Sequence, residues 1–197
     1  MQRTTLGLAI AAMAISGGVA VYAGYIAPQQ QAAQQARKQL FDFREAQVQR
    51  LRVKTRERTL EFERSDDSPT GWQMLAPEQV PASKSTVVFL LDLLANESYE
   101  RRFSAPPQKR EAYGLTEPLA RITVELQGDR RHTLVLGNTG LEGQSVYALR
   151  DPQKADGNPS VLLVANDFKK AVERELAGWK QPEAPKASAE SETNPDG

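Results

Sequence analysis

From Val48 onward, apolar residues alternate with polar ones in short runs, and only twice does the spacing lengthen to the three-and-four rhythm of a helix. A period of two gives a strand one dry and one wet face, whereas a period near 3.6 draws an apolar stripe along a helix. The chain centres on Ala112 to Gly137, where Ile122, Val124 and Leu126 interleave with Arg121, Thr123 and Glu125. Gly128-Asp129 offers a turn. The return run carries His132, Leu134 and Leu136 on one parity and Thr133 and Val135 on the other, and a loop signal follows at Gly137-Asn138. This predicts a central hairpin.

The same reading extends in both directions. Val48, Leu51 and Val53 lead into a polar turn at Lys54 to Arg58, and Leu60 and Phe62 alternate with Glu61 and Glu63, which predicts an earlier hairpin. After the loop Ser65 to Pro69, Gly71-Trp72-Gln73-Met74-Leu75 reads as a strand closed by Pro77. Val87, Val88, Leu90, Leu91 and Leu94 predict a helix capped by Ser83 or Ser85, with Asp92 facing solvent and Asn96 suited to a left-handed C-terminal position. Tyr99 to Phe103 reads as a further strand, Gly114 ends a short turn, and Pro118 fixes the approach to the hairpin. Asn138 to Gly143 reads as a flexible loop, Ser145 to Arg150 as a strand, Asp151 to Pro159 as a loop and Val161 to Val164 as a buried strand. Phe168, Ala171, Val172 and Leu176 predict a last helix, capped by Asn166 or Asp167, with Trp179 just beyond. The expected fold is α+β: a mainly antiparallel sheet of about seven to eight short strands with two packed helices, preceded by an N-terminal transmembrane helix.

That last element is Leu6 to Ile26, about 21 residues without a charge, close to the ~20 that cross a bilayer as a helix. Small residues crowd its middle, and Val21-Tyr22-Ala23 is a small-x-small exit. Residues 1–27 therefore read as an anchor in the lipid bilayer or, alternatively, as a cleaved signal peptide. Arg3 lies on one side and Arg37, Lys38 and Arg44 on the other, so charge does not orient it. Residues 28–47 read as a Gln-rich helical stalk that starts at Pro28 and docks through Leu40, Phe41 and Phe43. Residues 48–180 form the α+β domain, and 181–197 an acidic tail too poor in apolar groups to order itself.

Composition narrows the chemistry. Lys+Arg and Asp+Glu both number 25, so no global field draws nucleic acid, and the absence of cysteine excludes thiol, disulfide and Cys–metal chemistry. His132 is the single histidine and has no second one for a metal pair. The Gly137 to Gly143 run lacks the Lys-Ser/Thr of a phosphate loop, and the acid pairs Asp66/Asp67 and Asp92/Glu97 lack a perturbing partner. No catalytic, cofactor-binding or metal residue is expected, and the chain does not read as an enzyme. What remains is surface. Arg50, Arg52, Lys54, Arg56 and Arg58 recur at every second residue; in a strand they line one wet face that meets anionic lipid headgroups or an acidic partner, or is simply solvated and balanced by Glu57, Glu61 and Glu63. Trp72, Tyr99 and Tyr147 are candidate rings for a ligand, with a core position as the alternative for Trp72.

One set of motifs belongs together: Val48-x-x-Leu51-x-Val53, Leu60-x-Phe62-x-Arg64, Gly71-Trp72, the Leu-rich helix, Tyr113-Gly114-Leu115-x-x-Pro118, Leu134-Val135-Leu136-Gly137 and Val146-Tyr147. From Phe43 to Trp179 the chain resembles the bacterial "domain of unknown function 4340" family, with Tyr113, Gly114, Leu115, Pro118 and Gly137 as structural signature. Ala82-Ser83 stands where that family often has an Asp before the helix. The resemblance implies a membrane segment, an extracytoplasmic β-rich domain and association with ABC-type transport systems of the gliding-motility type, and brings no catalytic residues. The Gln-rich spacer looks like a cyanobacterial version, which implies periplasm or thylakoid lumen. The expected function is that of a membrane-anchored, non-enzymatic interaction or scaffold domain, an accessory subunit of a membrane complex; the alternative is an envelope ligand-binding domain for a glycan or lipid headgroup.

Overall fold

Alternation carries over into geometry wherever a strand has one face against the core. A computed structural model describes residues 38–152 and 160–182. The expected anchor 1–27, stalk residues 28–37 and the tail from 183 onward lie outside the described residues. Among those described, nine strands form one antiparallel sheet: β1 (Val48–Thr55), β2 (Thr59–Arg64), β3 (Trp72–Ala76), β4 (Val80–Pro81), β5 (Arg101–Phe103), β6 (Ala120–Leu126), β7 (Arg131–Thr139), β8 (Ser145–Arg150) and β9 (Val161–Ala165). Their order is β4-β3-β2-β1-β6-β7-β8-β9-β5. Two α-helices, α1 (Lys84–Asn96) and α2 (Asp167–Val172), complete the α+β fold. No helix of the described residues is long and apolar enough to cross a membrane.

The order follows from two meanders. β1 to β4 step outward on one side and β6 to β9 on the other, and β1 pairs with β6 through register partners from Val48↔Leu126 to Thr55↔Ala120. In β6, Ala120, Ile122, Val124 and Leu126 are buried while Arg121, Thr123 and Glu125 are half-exposed. The same parity in β1, β2 and β7 places Leu51, Val53, Leu60, Phe62, Leu134 and Leu136 on the dry side. There they join Val87, Leu90, Leu91 and Leu94 of α1, Phe168 and Val172 of α2, and Trp179 in one core. Each such side chain contributes about 1.5–3 kcal/mol on burial.

Several local expectations change. The ninth strand is β4, two residues long, too short to show a period and made only by pairing Val80 and Pro81 with Met74 and Gln73. Asn96 is the last helical residue of α1 and not a left-handed cap; its Nδ2 donates to Asp92 Oδ1 at 2.5 Å, and Glu97 continues extended at φ −71°. Leu176 does not belong to α2, which ends at Val172; it opens a separate 3-10 turn, Leu176–Trp179, that seats Trp179 in the core. The expected helical stalk does not extend through its docking residues. Gln39 bridges Ser98, and Leu40, Phe41 and Phe43 are only 1%, 4% and 6% exposed, so the docking residues form a non-helical strap. Arg150 Nη1 donates to the carbonyls of Gln39 and Leu40 at 3.3 and 3.1 Å and holds that strap down.

The expected loop at Gly137-Asn138 is instead strand: β7 runs on to Thr139. Its continuation depends on a close crossing. Asn138 N–H donates to the Tyr113 carbonyl at 2.8 Å, and a Cβ at Gly137 would collide with that same oxygen. Gly114, at φ +67°, turns the crossing segment and abuts Asn138. Glycine is required at 137 for space and at 114 for both space and backbone angle. Thus the Tyr113-Gly114-Leu115 turn is pinned onto β7, where Leu115 covers Val135. Gly137→Ala is expected to cost about 1–3 kcal/mol, a fall in Tm of roughly 2–4 °C per kcal/mol. Gly128→Ala, at φ +73° with nothing within 4 Å of the new Cβ, carries only backbone strain of about 1–2 kcal/mol. If Gly137→Ala melts no lower than wild type, the crossing is not as tight as described.

Candidate functional site

Because both helices lie on one side, the opposite side of the sheet is left to its own side chains. Register groups them in rows. On the first row Glu63, Arg50, Glu125 and Arg131 stand on neighbouring strands β2, β1, β6 and β7. Arg50 Nη2 lies 2.9 Å from Glu63 Oε1, and Arg131 Nη2 lies 2.8 Å from Glu125 Oε1. On the second row Arg52 Nε is 2.9 Å from Glu61 Oε1. The Glu63 hydrogen bond, reinforced by its charge, holds the Arg50 guanidinium above its ordinary pKa. Such exposed pairs stabilise weakly but neutralise the face they cover.

Arg50, Arg52 and Lys54 therefore occupy the wet face of β1, as their spacing predicts. Arg56 and Arg58 do not continue it. They sit in the β1–β2 turn, where Arg56 Nη2 donates to the Glu117 carbonyl at 2.7 Å and Arg58 Nη2 to the Arg174 carbonyl at 3.3 Å. Alternation ends with the strand, so the basic run splits into a face and a turn.

The three candidate rings are not brought together. Trp72 is fully buried on the helix side, with the Arg64 guanidinium 4.7 Å from its ring centroid, and no ligand reaches it; its core position corrects the ligand-stacking expectation. Tyr99 is half-buried against the same core. Tyr147 lies on the opposite face, half-buried, and there meets Tyr113 at 4.5 Å and Phe103 at 6.4 Å between ring centroids. Phe103 and Tyr113 are 5.7 Å apart, edge to face. This aromatic cluster over Val135, Leu149 and Val161 is the feature that sequence reasoning missed. No local spacing reports it, since it needs β5 beside β9 and the Tyr113 turn folded over β7.

The remaining candidates serve architecture. His132, with its side chain 21% exposed, faces the core side; its Nδ1 lies 2.9 Å from Asp151 Oδ2, and its ring centroid is 4.7 Å from that of Phe41. Asp151 Oδ1 in turn accepts the Thr133 N–H at 2.6 Å. Gly140 to Gly143 form the β7–β8 turn, with Gly140 N–H donating to Ser145 O at 2.7 Å, and no helix follows to cradle a phosphate. Among the described residues no group of three or more His, Asp or Glu side chains is placed to hold a metal ion. The recess lined by Arg50, Arg52, Glu61, Leu75, Thr123 and Glu125 has about 150 Å³, below the ~300 Å³ of a small-molecule site. Two wider recesses also open among the described residues, one of about 400 Å³ against the β1–β2 turn and Val172 and one of about 330 Å³ beside Glu125, Asp129, Arg130 and Arg131.

These positions separate in stability. Trp72→Ala is expected to lower the free energy of urea unfolding by about 3–5 kcal/mol, and Arg50→Ala by no more than about 1 kcal/mol. Equal, small losses would place Trp72 on the surface after all.

A family model described as "Domain of unknown function (DUF4340)" matches residues 72–189. The match begins at Trp72, so the β1–β2 hairpin lies outside it, while the Tyr113 turn, Gly137 and the aromatic cluster lie within. No curated protein and no solved structure matches the chain.

Proposed function

The chain belongs to the domain-of-unknown-function 4340 family, and from that premise we propose that it is a non-enzymatic docking domain, anchored in a membrane through Leu6 to Ile26 and acting as an accessory subunit of a membrane complex such as an ABC-type transport system. One observation carries the reading. The sheet is covered by helices on one face only, and its other face carries the half-buried Phe103, Tyr113 and Tyr147 together with rows of paired arginines and glutamates. Aromatic residues and arginine are the types enriched where proteins bind one another, because they combine large apolar contact with a polar handle. The strap Leu40 to Phe43, clamped by Arg150 and His132, supports the same reading: it ties the domain directly to the segment that follows the apolar run. A glycan or lipid-headgroup ligand is the second reading, favoured by the Tyr113–Tyr147 pair.

Crosslinking in native membranes, affinity purification through the C-terminal tail and mass spectrometry test the first reading. Subunits of a membrane transport complex are expected with the wild type and are expected to fall away with Tyr147→Ala, whose core-side packing is untouched. Recovery of the protein alone from wild-type membranes refutes docking and moves the question to glycan and headgroup binding.

A further inference from the structure

On the strands that carry the charged rows, each arginine of the first two rows has a carboxylate: Arg50 has Glu63, Arg52 has Glu61 and Arg131 has Glu125. The third row breaks this rule. Lys54 and Arg121 are Cα partners across the β1–β6 ladder and project on the same face, so their Cβ atoms stand about 4.5–5.5 Å apart. Neither makes an ion pair among the described residues. Like charges directly opposite one another weaken a ladder. The flanking positions do not relieve them: Thr59 pairs with Lys54 on β2, and Val135 pairs with Arg121 on β7. The nearest diagonal acid, Glu61, is already engaged by Arg52.

We propose that Lys54 and Arg121, flanked by the hydroxyl-bearing Thr59 and Thr123, form a recognition site for the carboxylates of an acidic segment of a protein partner. This deepens the docking reading and rests on it. Arg121 offers a fork that takes a carboxylate in two parallel hydrogen bonds, and Lys54 a compact charge beside it. The row continues from Arg121 to Val135, Leu149, Val161 and Phe103 across β7, β8, β9 and β5. An acidic segment seated on the cations therefore meets the Tyr113 turn and the aromatic cluster next to it. A lipid surface fits less well. A bilayer needs a broad cationic face, and the first two rows here are neutralised in place, whereas a short acidic segment needs only the two adjacent uncompensated charges of the third.

The experiment uses the full-length protein in detergent and fluorescently labelled hexaglutamate at low ionic strength, where surface electrostatics is least screened. Wild type is expected to bind, Arg121→Glu and Lys54→Glu to bind at least about tenfold more weakly, and Arg102→Glu, the same charge change on exposed β5, to stay within about twofold. Unliganded Arg121→Glu is also expected to melt higher than wild type, because it converts a like-charge pair into an opposite one. Failure of the wild type to bind hexaglutamate overturns the site, as does equal weakening by Arg102→Glu. Binding to phosphatidylserine vesicles that depends on Arg121 while hexaglutamate binding does not would reassign the pair to lipid and overturn the proposal. Hexaglutamate binding that is retained when no partner is captured from membranes removes the docking reading and leaves the carboxylate site standing, so the two failures are distinct.

Discussion

The β1–β6 ladder is the constraint on which the rest of the molecule depends. It joins strands that lie far apart in sequence, and without it the sheet is two separate meanders, each with an exposed apolar face and two open edges. Once it is formed, Leu51 and Val53 align with Val124 and Ile122 on a common face, and α1 finds a surface wide enough to bury seven of its residues. A one-residue slip in this ladder would turn every apolar residue of one meander toward water. The irregularity between Val48 and Arg50 shows the register being adjusted locally while the dry face is kept.

Covering one face of a large sheet leaves the other to be made tolerable in water, and the two halves of this one do so differently. Over β2, β1 and β6 the solution is electrostatic, with glutamates and arginines alternating across strands. Over β7, β8, β9 and β5 it is steric: the chain between β5 and β6 folds back, and Ala105, Tyr113 and Leu115 cover Val135, Leu149 and Val161. That cover is possible because Gly137 lacks a side chain where the Tyr113 carbonyl arrives. Gly114 and Gly137, both within the family region, are thereby explained by a backbone crossing. Lys54 and Arg121 lie at the seam between the halves, where neither solution reaches.

The strap at the N-terminal end of the domain has a different character from the sheet. Leu40, Phe41 and Phe43 contribute apolar burial, but their position is set by polar contacts: Arg150 on two carbonyls, Gln39 Nε2 on the Ala95 carbonyl, and the His132–Asp151 pair beneath Phe41. These are directional where burial is not, so the strap's path is specified as well as its attachment.

The sequence by itself determined which residues of the long strands face the helices. Period two in β1, β2, β6 and β7 and the stripe in α1 named the core side chains, and Gly128-Asp129, both at positive φ, named the central turn. It also marked Arg50, Arg52 and Lys54 as one wet face, because side-chain direction along a strand is a local property. Only the tertiary structure decided which strands are neighbours, and with that the contacts made across the open face. Nothing near Lys54 in sequence announces Arg121, nothing near Tyr147 announces Tyr113 and Phe103, and nothing in the Gln-rich approach to Leu40 announces a non-helical strap. The reason is physical: periodicity is written into consecutive residues, whereas strand pairing is chosen by how the whole chain best buries its apolar surface, and that choice is made between segments far apart along the chain.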